Sequence, residues 1–238
     1  PSVKEKIDAT SRQLTNRDGF VSAARFDPDG KRVVYSAGFD GKPLELFYNN
    51  GEVAQSRPAG TESAALKSVS RSGKIAVLVN FELNWSDGYN GTLLILPAGG
   101  GQPETPPIEG VDDAAFAPDG NTFAIFRSVF GEQQLEYPAG NVLYKSPGWM
   151  SYPRFSPKGD KIAFFEHPLG DYSGSIAVVD VASKKKTDIS SDWQALKGLA
   201  WNPKADEIWF GGSKESKTVS INSVTLSGQL RKRLYSVS

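Results

Sequence analysis

One short pattern occurs five times along the 238 residues, and that repetition constrains the fold more than anything else in the chain. The clear copies are Ala24-Arg25-Phe26-Asp27-Pro28-Asp29-Gly30, Ala115-Phe116-Ala117-Pro118-Asp119-Gly120 and Arg154-Phe155-Ser156-Pro157-Lys158-Gly159. Ser68-Val69-Ser70-Arg71-Ser72-Gly73 and Ala200-Trp201-Asn202-Pro203-Lys204-Ala205 are degenerate copies. The aromatic or aliphatic position falls at 26, 69, 116, 155 and 201, at spacings of 43, 47, 39 and 46 residues. A period of about 40–50 residues in a turn-rich chain is that of a propeller blade.

Each copy has the chemistry of a hairpin. Proline presets φ for the second turn position and glycine accepts the positive φ that follows. An apolar run comes next each time: Val33-Val34-Tyr35, Ile75 to Val79, Phe123 to Phe126, Ile162 to Phe165 and Ile208-Trp209-Phe210. Such runs read as buried strands. A third strand follows (Leu44 to Phe47, Leu93 to Leu96, Gln134 to Tyr137, Ile176 to Val179, Val219 to Leu226), then a more polar fourth after turns such as Asn49-Asn50-Gly51, Gly99-Gly100-Gly101 and Ala139-Gly140-Asn141. The expected fold is an all-β propeller of four-stranded antiparallel blades, five of them visible, at about 20–58, 63–107, 111–147, 150–190 and 196–236 within a domain of 16–238. Residues 1–15 are expected to be a tail plus a stray outer strand near Arg12-Gln13-Leu14-Thr15. Two arrangements stay open. That strand pairs with blade five and closes a five-bladed ring, or it belongs to a blade outside this chain, which is then part of a larger propeller.

Composition removes several functions. The 27 basic and 27 acidic residues cancel, which argues against a nucleic-acid binder. Zero cysteines exclude disulfides, thiolate catalysis and cysteine-ligated metals. One histidine, His167, leaves little for a histidine-built metal centre. No metal and no cofactor is expected. Asp27, Asp29, Asp87, Asp112 and Asp113 have oxygen ligands to offer calcium, but the first two are better explained by their turn. Lys184-Lys185-Lys186 and Arg231-Lys232-Arg233 read as charges that blunt outer sheet edges. No apolar run approaches the ~20 residues of a membrane helix. The start, Pro1-Ser2-Val3-Lys4, holds neither an initiator Met nor an apolar signal core, so a processed or excised piece is expected.

The repeat, an aromatic then Ser/Asp/Ala-Pro-Asp/Lys-Gly before an apolar strand, resembles the TolB-like, WD-like propeller repeat, which also occurs in prolyl-oligopeptidase-type enzymes. Val33 to Phe47, Leu135 to Tyr144, Gly148 to Pro157, Gly174 to Asp180 and Gly198-Leu199-Ala200-Trp201 resemble the propeller region of bacterial receptor-type serine/threonine kinases. That resemblance implies an extracytoplasmic sensor attached to a membrane-anchored kinase. No kinase loop is present in this chain, so no kinase role falls on any residue of it.

In a propeller the Pro-Asp-Gly hairpins share one face, and the other face collects the remaining loops. Trp85, Tyr89, Phe39, Phe130, Trp149, His167, Tyr172 and Trp193 fall on that loop-rich face and are the candidate ligand-binding residues. Trp149 and Trp193 precede inner strands, and wedging between blades is the competing reading for both. His167 before Pro168 has a structural reading as well. The expected function is a non-catalytic propeller that binds a small molecule, glycan, peptide or partner protein, with no catalytic residue assigned. The alternatives are a protein-interaction scaffold of the TolB type, and a hydrolase or lyase at the channel mouth.

Overall fold

The computed structural model describes residues 13–50, 57–83, 88–215 and 219–234, which form nineteen β-strands and no helix. Blade one is β1 (Gly19–Phe26), β2 (Val33–Phe39), β3 (Glu45–Asn49) and β4 (Arg57–Glu62), paired antiparallel in that order. Blade two contributes β5 (Ala65–Val69), β6 (Ile75–Leu83) and β7 (Tyr89–Leu96). Blade three is β8 (Ile108–Phe116), β9 (Phe123–Val129), β10 (Glu132–Glu136) and β11 (Val142–Ser146). Blade four is β12 (Trp149–Phe155), β13 (Lys161–His167), β14 (Gly174–Asp180) and β15 (Lys186–Trp193). Blade five is β16 (Ala195–Trp201), β17 (Glu207–Ser213), β18 (Ser220–Thr225) and β19 (Leu230–Leu234).

Blades two and three share one seven-stranded sheet. β8 pairs with β7 at its start (Leu93↔Ile108, Gly91↔Val111) and with β9 for the rest (Asp113↔Phe126 to Phe116↔Phe123). It is thus the outer strand of blade two and the inner strand of blade three. The sequence suggests an outer strand directly after Gly99-Gly100-Gly101, but Pro103, Pro106 and Pro107 fill that stretch. Proline cannot donate to a ladder; Glu104 N alone donates to Ile95 O of β7, at 2.8 Å, and ladder pairing resumes at Ile108.

The repeated hairpins close alike. Gly30 N donates to Asp27 O at 2.8 Å, Gly120 N to Ala117 O at 3.0 Å and Gly159 N to Ser156 O at 2.9 Å, each glycine at positive φ. In blade five Ala205 takes that position at φ 61°, where a Cβ is unfavourable.

The core lies between blades. Val69 packs on Val34 and Leu46 of blade one. Phe116 packs on Ala76 and Leu93 of blade two. Phe155 packs on Phe126 and Leu135 of blade three, and Trp201 on Phe165 and Ile176 of blade four. Four of the five copies therefore place their large side chain in a cluster shared with the preceding blade. Phe26, in the first copy, packs on no other blade among the described residues and is 71 % exposed.

Residues 13–18 form no strand. Leu14 covers Val33, Tyr35 and Phe39 on blade one. Asn49 Nδ2 donates to Leu14 O at 2.8 Å, and Arg17 bridges Asp40 at 2.7 Å while standing over the Phe39 ring. The outer position of blade five belongs to β19. Inner strands pack in series, β1 on β5, β5 on β8, β8 on β12 and β12 on β16. Among the described residues β1 and β16 do not meet in that way.

Candidate ligand-binding surface

Blade four builds an aromatic rim. Trp149 opens β12 and pairs with His167, the last residue of β13. Their rings stack with centroids 3.7 Å apart and planes 12° apart, and Tyr172 meets Trp149 edge-on at 6.2 Å. Two glycines permit this closeness. A Cβ on Gly148 would lie 1.9 Å from His167 O, and one on Gly174 would lie 2.5 Å from Glu166 O. Trp149 Nε1 donates to Asp171 O at 3.1 Å, and Asp171 Oδ1 accepts Ser173 N at 2.9 Å, which fixes the loop. Leu169 and Tyr172 stand out of that loop, 73 % and 51 % exposed.

His167 itself is 3 % exposed. Its Nδ1 lies 2.9 Å from Ser173 O and its Nε2 lies 3.0 Å from Ser151 Oγ. The pairing that satisfies both is Nδ1–H donating to the carbonyl and Ser151 O–H donating to Nε2. Burial pushes the imidazole pKa below the ordinary histidine value, against the pull of the Ser173 and Tyr172 carbonyls and of Asp171. Beside it Glu166 takes Tyr144 Oη at 2.7 Å, Ser146 Oγ at 2.8 Å and an ion pair from Lys186. Burial raises the Glu166 pKa, but these donors outweigh it and the net shift is downward. Burial and Glu166 together push Tyr144 up to about 12.

The other sequence candidates are dispersed. Phe39 and Trp193 are each 2 % exposed, Phe39 between Tyr35 and Phe47, Trp193 against Phe210 in the blade four–five core. Neither presents a surface to a ligand. Phe130 sits at positive φ on the tip between β9 and β10, fully exposed. Tyr89 packs edge-on against Phe81 at 4.7 Å, with Lys67 Nζ 5.3 Å from its ring. Trp85, like Asp87, lies outside the described residues. Among the described candidates only Trp149, His167 and Tyr172 are brought together.

The aspartates do not assemble a cation site. Asp29 accepts Lys31 N and Arg32 N within its turn, and Asp27 pairs with Arg32. Asp112 accepts Asn90 Nδ2, Ser128 Oγ and Gln133 Nε2, while Asp113 faces Lys67. Among the described residues no group of three acidic or histidine side chains converges as metal ligands would. The basic runs are engaged too: Lys184 Nζ donates to Asn141 Oδ1 and Val142 O, and Arg231 lies 4.0 Å from Glu207.

Sequence reasoning passed over the cations of the inner strands, Arg25 in β1, Lys67 in β5 and Arg154 in β12. Their signal was present as charged residues in strands otherwise apolar and destined for the middle of the molecule.

The molecule is thus an all-β propeller with an aromatic rim on one blade. No protein-family model matches the chain, and no curated protein sequence does. Solved structures do. TolB from Acinetobacter baumannii superposes with a TM-score of 0.67 at 17 % identity, over 89 % of this chain and 53 % of that one. The chain spans about half the length of that TolB. A putative TolB from Agrobacterium tumefaciens gives 0.68 at 17 % identity, over 91 % and 81 %. The tricorn protease gives 0.66 at 19 % identity, over 96 % of this chain and 24 % of that one. The fold is that of a TolB-like β-propeller. No helix of the described residues is long and apolar enough to cross a membrane.

Proposed function

We propose that this chain is a non-catalytic binding propeller that recognises a protein, peptide or glycan through its loop-rich face, with the blade-four rim as anchor. The observation that carries this reading is the Trp149–His167 stack bearing Tyr172 and Leu169 outward on a hydrogen-bonded loop. Rigid aromatics on a fixed scaffold supply contact area at low entropic cost. TolB-type likeness supports a protein-interaction role. The segments that resemble receptor-kinase propellers support the finer reading, an extracytoplasmic sensor whose signal passes to a kinase domain.

A hydrolytic reading has one observation in its favour, Ser151 Oγ at 3.0 Å from His167 Nε2. Two features oppose it. The ring is sealed under Trp149, and its Nδ1 partner is a neutral carbonyl rather than a carboxylate that would stabilise an imidazolium.

The test is a screen of the wild-type chain on glycan and peptide arrays, followed by affinities for Tyr172→Ser and Leu169→Ser. A hit weakened about tenfold or more in both variants, with melting unchanged, supports the rim. Hits indifferent to both variants, or an esterase turnover abolished by Ser151→Ala, overturn it.

A further inference from the structure

The hairpins between first and second strands stand at the end of the blades opposite the aromatic rim, and they are not evenly packed. A Cβ on Gly120 of blade three would meet Ser72 N and Oγ of blade two at 3.6 Å, and one on Gly159 of blade four would meet Pro118 Cδ of blade three at 3.3 Å. Ser72 Oγ also donates to Gly120 O at 3.4 Å, and Lys74 Nζ to Asn121 Oδ1 at 3.2 Å. The hairpin of blade two has no such neighbour in blade one. A Cβ on Gly73 would meet only Ala98 of its own blade, at 3.0 Å. A cleft of about 290 Å³ opens there, walled by Asp27, Asp29 and Arg32 of blade one and by Arg71 and Gly73 of blade two. Val34, Val69, Tyr48 and Gly99 complete its lining.

What this lining leaves unused is donors. Tyr48 lies in β3 opposite Val34 and packs on the core between blades one and two. Its Oη is closed off from solvent and makes no hydrogen bond among the described residues. The Gly99 N–H approaches that oxygen without closing a hydrogen bond, and as a donor it cannot accept the hydroxyl proton. Tyr137 in blade three gives the contrast, with its hydroxyl 3.0 Å from Thr122 Oγ1. A buried hydroxyl left without an acceptor is costly. Burial, then the charge of Asp27, raises the Tyr48 pKa, so the hydroxyl keeps its proton at neutral pH. Arg71 is exposed and pairs with no described residue. The carboxylates of the opposite wall are already engaged. Asp27 pairs with Arg32, and Asp29 accepts Lys31 N at 2.8 Å and Arg32 N at 3.1 Å.

We infer that the cleft between the hairpins of blades one and two binds a carboxylate group of a ligand, which accepts a hydrogen bond from the Tyr48 hydroxyl and pairs with the Arg71 guanidinium. A carboxylate answers both, because its two oxygens can accept an O–H and a guanidinium N–H together. Asp27 and Asp29 on the wall favour this singly charged group over a more highly charged phosphate. Val34 and Val69 offer an apolar surface to the rest of the ligand. The site stands at the other end of the blades from the blade-four rim and does not depend on it.

The test is calorimetry and thermal melting of the wild-type chain in low-salt buffer. Probes are an N-acetylated tripeptide with a free C-terminal carboxylate, its C-terminal amide, the amidated peptide with one internal glutamate, and inorganic phosphate. The expected result is saturable binding of a carboxylate probe and none of the plain amide. Arg71→Gln weakens that binding about tenfold or more, and Tyr48→Phe about fivefold. Lys204→Gln, which removes a positive charge from the hairpin of blade five, leaves it unchanged. Without ligand Tyr48→Phe melts no lower than wild type, because the hydroxyl it deletes had no partner.

Binding of the free-acid tripeptide alone supports the cleft and identifies a chain terminus as the source of the carboxylate. Binding of the glutamate peptide supports it and identifies a side chain. Binding of neither, or phosphate bound more tightly than both, overturns the inference. So does affinity equal in wild type, Arg71→Gln and Tyr48→Phe, or weakened as much by Lys204→Gln, which is attraction to charge in general. A Tyr48→Phe chain that melts lower or fails to fold without ligand also overturns it, since the hydroxyl then serves the fold. Carboxylate affinity lost in Tyr172→Ser but kept in Arg71→Gln places the ligand on the rim and overturns it as well. Binding that depends on Arg71 while no array hit depends on Tyr172 leaves the cleft standing and refutes only the rim.

Discussion

His167 is the single histidine, so one side chain dominates titration between about pH 5 and 8. Its burial lowers its pKa in the folded chain, and the unfolded chain takes up that proton at the ordinary value near 6.5. In the window below that value the unfolded state binds more protons. Stability is therefore full above it and falls as pH drops. The melting temperature of the wild type should fall between about pH 7.5 and 5.5. His167→Gln should be less stable throughout but flat across the same window. A variant with the wild-type slope would assign the proton elsewhere. The structural reading of this histidine was available from its place before Pro168. Its stack on Trp149 was not, because it depends on Gly148 in the bend before β12 and Gly174 at the start of β14 closing on it.

Strands were the most legible elements, since the apolar runs Ile75 to Leu78 and Ile162 to Phe165 are buried on both faces as a sandwiched blade requires. Bulges were not legible, because register belongs to a pair of strands and not to either sequence. Lys67 is the extra residue of β5, and nothing in the run Leu66-Lys67-Ser68-Val69 marks it as such. The delayed outer strand of blade two was legible in principle, from the prolines at 103, 106 and 107. The repeat also hides a difference between its copies. Phe116 is buried against blade two, so Phe116→Ala should cost about 3–5 kcal/mol in urea denaturation. Phe26 occupies the same place in its copy but faces no blade, and Phe26→Ala should cost about 0.5 kcal/mol or less. Equal losses would mean that something covers Phe26 in solution.

At the scale of the molecule the blades form a series, each inner strand resting on the next. The choice between a five-bladed ring closed by the strand near Leu14 and a part of a larger propeller was left open by the sequence, because closure rests on contacts between distant parts of the chain. Among the described residues β1 packs on β5 and β12 on β16 but no comparable packing joins β16 to β1, and Leu14 and Arg17 lie on blade one instead. A linear array is stabilised by each unit and its nearest-neighbour interfaces, so end units, with one interface fewer, open first. Amide exchange should report this directly in the second strand of each blade, which is hydrogen-bonded on both sides in every copy. The amides of β9 in blade three should exchange most slowly, and those of β2 and β17 about tenfold faster or more. A partner that bridges the ends should slow β2 relative to β9. Equal protection of β2, β9 and β17 in the free chain would mean that the first and last blades meet in solution. Phe26 and Phe20 would then be interior contacts of a closed ring, and not the exposed edge they form here.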